Sequence, residues 1–87
     1  MNGRERMQWI DNDEGLCNLW RMSAMAKSVF VQEYREILTR YINGRLCKSE
    51  DRPTIWEVAG AIHAQRLEKR HRNFLARTRA RQVIQGR

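Results

Sequence analysis

The sequence predicts an all-α fold: a small three-helix domain whose third helix is basic, runs toward the C-terminus, and is either long or broken. Three observations predict it. Apolar residues recur at helical spacing between Phe30 and Ile42, two stretches carry paired helix-start residues, and the charge is divided unevenly along the chain. The 87 residues include 17 Lys or Arg and 10 Asp or Glu, a net charge of +7. From residue 61 onward eight bases (Arg66, Lys69, Arg70, Arg72, Arg77, Arg79, Arg81 and Arg87) face a single acid, Glu68. The first sixty residues carry nine of each sign. One domain therefore divides into a lead segment over 1–10, a neutral helical core over 11–64 and a basic arm over 65–87.

A chain of this length builds a thin core, since small domains bury a lower fraction of their surface. Seven aromatic residues help, because each ring removes a large apolar area from water. A homodimer would add further core, so self-association is an expected source of stability.

The lead segment reads as a flexible start whose last residues, Trp9 and Ile10, reach the core. Its alternative is a short strand, with Arg4, Arg6 and Gln8 alternating against Glu5, Met7 and Trp9. A strand before two helices is the order of a ribbon-helix-helix dimer, but Glu5 would then sit on the buried face. Asp11 with Glu14 has the layout of a capping box and predicts a first helix over about Asp13 to Met22. The same acids suggest a calcium loop only superficially, because the chain turns apolar at once and no Glu closes a twelve-residue loop.

A bend is expected between Met22 and Ser28, with Ser23 or Ser28 capping the second helix. That helix carries Phe30, Tyr34, Ile37 and Tyr41 at i, i+4, i+7 and i+11, flanked by Val31, Leu38 and Ile42. Asn43-Gly44 predicts its stop, with Gly44 in the left-handed conformation. A charged connector leads to Pro53. Thr54 and Glu57 then form a second capping box for the third helix, whose Ile55, Val58, Ala59 and Ile62 should dock on the second. Trp56 is placed at the edge of that core. After Ala64 the apolar stripe rotates, so the helix either breaks near His63 to Leu67 or continues and offers Leu67, His71, Phe74 and Thr78 to something else.

No spacing carries catalytic chemistry. Cys17, Cys47, His63 and His71 match none of the paired zinc patterns. The glycines are isolated, which excludes phosphate loops and nucleophile elbows. The expectation is a non-enzymatic protein with no cofactor and no metal. Two scattered cysteines, no secretory stretch and no long apolar run place it in a reducing cytoplasm, away from membranes.

The basic arm is the one functional signal. Arg presents a planar fork of donors matched to phosphate oxygens, and the arm is nearly all Arg. The expected nucleic-acid contacts are Arg66, Lys69, Arg70, Arg72, Arg77, Arg79 and Arg81, on DNA or RNA, in a small regulator. The rival expectation is an interaction or inhibitor protein that blocks a nucleic-acid-handling complex, for example an accessory or anti-defence protein of a mobile element. Its partner would be acidic, and Trp9, Trp20, Trp56, Leu67 and Phe74 would be the contact residues, Trp being a frequent interface anchor.

Overall fold

The computed structural model describes residues 2–85, with side chains as far as Ala80. Helix makes up 82% of it, and no strand occurs among the described residues. Five helices follow one another: α1 (Gly3–Asn12), α2 (Glu14–Ser23), α3 (Lys27–Glu33), α4 (Arg35–Leu46) and α5 (Ile55–Gln85). The expected three helices thus become five, through one added at the start and one divided in the middle.

The added helix is α1, which replaces both the flexible lead and the strand. Asn2 caps it, its side chain accepting the Glu5 N–H at 2.9 Å. Met7 and Ile10 lie three residues apart and so share one helical face. Ile10 is fully buried, and Met7 and Trp9 pack against the same core. Burying that face outweighs a short polar–apolar alternation.

α1 ends and α2 begins on one residue, Asp13. Its N–H closes the last turn of α1 on the Trp9 carbonyl at 2.8 Å, and its carboxylate accepts the Leu16 N–H at 3.1 Å. Asp13 is therefore the N-cap, not Asp11, which lies in the last turn of α1 and pairs with Lys27. Tertiary contacts decide between the two acids. The buried Asp13 carboxylate also accepts the Tyr41 hydroxyl of α4 at 3.1 Å and lies 3.8 Å from the Arg45 guanidinium.

The expected bend follows α2, where Ala24 adopts a left-handed φ of 56°. Ser23 does not cap the next helix. Its hydroxyl donates to the Trp20 carbonyl and accepts the Met25 N–H, closing α2 instead. Ser28 lies inside α3, which starts without a side-chain cap.

The second predicted helix is divided at Tyr34, whose ψ of 25° departs from the helical value near −42°. The Gln65 side chain of α5 donates to the Glu33 carbonyl there at 3.1 Å. A side chain entering the backbone ladder is a recognised cause of a kink. The apolar stripe survives it: Phe30, Val31, Tyr34, Leu38, Tyr41 and Ile42 are all buried. Phe30 and Tyr34 meet edge to face, centroids 5.2 Å apart.

α4 does not stop at Gly44. It runs on to Leu46 and ends in a Schellman arrangement, with the Ser49 N–H on the Gly44 carbonyl at 2.8 Å and the Lys48 N–H on the Arg45 carbonyl at 3.3 Å. The left-handed residue is Lys48, with φ 51°. Gly44 serves close approach: a Cβ added there would fall 1.9 Å from Arg52 Cβ and 3.0 Å from its Cα. The connector folds tightly over the end of α4 because that residue lacks a side chain.

Two outcomes follow. Gly44→Ala is expected to destabilise the fold despite alanine's better helix propensity, whereas Gly60→Ala, with open space around its new Cβ, should stabilise it by about 1 kcal/mol. Urea denaturation of the pair distinguishes packing from propensity. Burial, the hydrogen bond to Asp13 and the Asp13 charge together raise the Tyr41 hydroxyl above its ordinary value of 10.0, with Arg45 opposing them. A raised folded value means a contribution that is full below pH 10.0 and lost as pH rises through the folded value. Tyr41→Phe should therefore cost about 1–3 kcal/mol near neutral pH. Its deficit against wild type should shrink in denaturation curves taken above that pH.

Candidate nucleic-acid-binding helix

The candidate site lies on α5, and its geometry follows from how the helix is rooted. Thr54 and Glu57 cap each other reciprocally, the Thr54 N–H donating to the Glu57 carboxylate at 2.6 Å and the Glu57 N–H to Thr54 Oγ1 at 3.2 Å. Val58 and Ile62 are buried against the body. Ile55 rests on Gly15 of α2, where a Cβ would come within 2.8 Å of its Cγ1. The predicted face is thus the one that docks, although Ile55 meets α2, the first predicted helix, and not the second as expected; Trp56 departs further from expectation. It stands 82% exposed instead of edging the core, because it points about 100° away from Ile55 around the axis.

The rotation of the stripe after Ala64 has a structural counterpart, since α5 continues without a break to Gln85. Three contacts mark the point where it leaves the body. Gln65 holds the Glu33 carbonyl, the Arg66 Nε donates to the Tyr34 hydroxyl at 3.2 Å, and the Lys69 ammonium lies 3.7 Å from the Glu33 carboxylate. From Leu67 to Ala80 every described side chain is exposed except half-buried Thr78, whose hydroxyl bonds its own helix at the Phe74 carbonyl. The molecule is accordingly elongated, 59 × 26 × 21 Å.

A solvated helical half of this kind has local support. Arg and Ala are strong helix formers, and the docked half removes the cost of nucleation.

The seven candidate phosphate contacts therefore divide into groups. Arg66 and Lys69 are engaged at the root, by Tyr34 and Glu33. Arg70, Arg72, Arg77 and Arg79 are exposed and, among the described residues, no carboxylate lies within ion-pair distance of them. They form two rows, Arg70 with Arg77 and Arg72 with Arg79, about 160° apart around the helix. Arg81 belongs to the same helix, but its side chain lies outside the described part.

The five candidate interface residues also separate. Trp9 is half-buried on the core. Trp20 is tied down, its indole N–H donating to the Met25 carbonyl at 2.9 Å and its ring lying 4.8 Å beneath the Lys27 ammonium. Trp56, Leu67 and Phe74 share the outward face of α5, with Leu67 51% and Phe74 64% exposed. That grouping was available from spacing, since 56, 67 and 74 fall within about 20° of one line on a helix. The engagement of Arg66 and Lys69 had no local signal.

Cys17 is half-buried on α2 and Cys47 exposed after α4, while His63 and His71 stand exposed on α5. No three His, Cys, Asp or Glu side chains gather into a metal-holding group among the described residues. An open cleft of about 810 Å³ lies between the α3–α4 kink and α5, lined by Glu33, Glu36 and Glu68 together with Arg35, Arg40 and Arg72. No described helix is long and apolar enough to cross a membrane. No known protein family, curated protein or solved structure matches the chain.

The root contacts can be ranked. Tyr34→Phe removes a largely buried hydrogen-bond partner and should cost about 1 kcal/mol. Glu33→Gln removes a half-exposed pair with Lys69 and should cost less than about 0.5 kcal/mol. Thermal and urea unfolding of the two variants give the comparison.

Proposed function

We propose that this protein is a small, non-enzymatic nucleic-acid-binding regulator that holds phosphates with the projecting half of α5. The observation that carries the reading is the exposure of Arg70, Arg72, Arg77 and Arg79 in two rows on a helix that leaves a charge-balanced body. Two rows on opposite sides of a rod suit phosphates flanking a groove, as for other basic helices. Arg is the residue type that meets phosphate through paired donors. Neutralising phosphates releases counterions, so affinity should fall steeply with salt.

A second reading, an inhibitor that occupies an acidic site on a nucleic-acid-handling complex, draws on Trp56. Trp56 stands exposed in the first turn of the basic helix, and Trp is a frequent interface anchor. Under that reading the isolated protein would ignore free nucleic acid and need its protein partner.

The test is a salt titration of binding to mixed-sequence DNA and RNA. The fourfold variant Arg70→Gln, Arg72→Gln, Arg77→Gln, Arg79→Gln should melt like wild type but bind weakly. On duplex DNA its slope of log affinity against log salt should be shallower by about 3 to 4. A variant that binds as tightly as wild type, with the same slope, would remove the arm from the account.

A further inference from the structure

We infer that the outward face of α5 binds unpaired nucleotides, with Trp56 and Phe74 stacking bases while Arg70 and Arg77 hold the phosphates on either side of the base at Phe74; this rests on the nucleic-acid reading above. Trp56 and Phe74 are separated by about five helical turns, so both rings lie on one line, about 27 Å apart along the axis. Both are largely in solvent, at 82% and 64% exposure. His63 and Leu67 lie between them, within about 20° of the same line. Arg70 and Arg77 flank it, on the side of the helix nearer the body, one turn before and one turn after Phe74.

This is the residue set of a single-strand platform: aromatic faces for bases and cations beside them for the backbone. Each part needs the other. Exposed rings on a polar arm gain nothing from phosphate, and a phosphate held by Arg brings with it the base that a ring can stack. A duplex hides its base faces in its own stack, so it would engage the Arg rows and leave the rings in water.

Charge selects this occupant over a second copy of the chain. The whole net charge lies beyond residue 60, so pairing two arms would set like charges together. The stripe is also interrupted at Gly60, His63 and Arg70, positions at which a self-pairing helix would require apolar knobs.

The experiment uses the full chain with unstructured oligo-dT of about 16 nucleotides and, separately, a duplex of the same length. Trp56→Ala and Phe74→Ala should each weaken oligo-dT binding by about tenfold, with an unchanged salt slope, and leave duplex binding as it was. Phe74→Leu keeps apolar bulk without a flat ring and should lose as much as Phe74→Ala, whereas Phe74→Trp should retain binding. Because both side chains are exposed, the variants should melt like wild type.

Equal losses on single strand and duplex, full activity of Phe74→Leu, or no loss at all would overturn the stacking role while leaving the phosphate contacts standing. A shift from dimer to monomer in the Trp56 and Phe74 variants would assign the stripe to a second copy instead. Failure of the wild-type chain to bind either probe would overturn both readings and leave an acidic protein as the partner.

Discussion

The molecule is governed by a mismatch of lengths. α5 has 31 residues, about 46 Å of helix, while the four helices it could lie against have 7 to 12 residues each. Helices that short extend about 10–18 Å, and can shelter only the first turns of α5. The remainder has to stand in water, and its composition agrees: six of the twenty residues from Arg66 to Gln85 are Arg. A long apolar stripe on such a helix would have been an aggregation hazard. A basic one is soluble and is left available to anions.

What makes the projection definite is the way the body grips the base of the helix. Asp13 joins α1 to α2 and ties both to α4 through Tyr41, so a single buried carboxylate sets the relative placement of three helices. Two glycines let neighbours approach closely, Gly15 the Ile55 side chain and Gly44 the Cα and Cβ of Arg52. Tyr34 sits at the centre of this arrangement. Its ring packs on Phe30 in the core, its backbone forms the kink between α3 and α4, and its hydroxyl receives Arg66 where α5 departs. The geometry of the arm is therefore set by residues of the neutral half.

Much of this was legible from the sequence, and the reasons are local. The buried stripe from Phe30 to Ile42 was visible because helical periodicity is a property of neighbours in sequence, and the Thr54–Glu57 box because reciprocal capping spans three residues. The charge division needed only counting. The failures came where tertiary contacts chose between local options of similar merit. Asp11 and Asp13 are both acceptable caps, and only the proximity of Tyr41 and Arg45 selects Asp13. Gly44 is a plausible helix stop, yet its role is set by Arg52, eight residues away. α1 was hidden because its alternation is too short to separate strand from helix. Arg66 and Lys69 looked like their neighbours, and only the fold shows that Tyr34 and Glu33 engage them.

The functional proposals all depend on a helix whose described side chains beyond Arg66 stand exposed, Thr78 apart. Small-angle X-ray scattering on the protein at low concentration tests that most directly. The Cα radius of gyration is 16.7 Å, whereas a chain of this length folded into a compact globule would have about 12 Å. A monomeric mass with a radius near 17 Å is the predicted result. A monomer near 12 Å would mean that the arm folds back onto the body, and the exposed Arg rows and aromatic line would lose their structural basis.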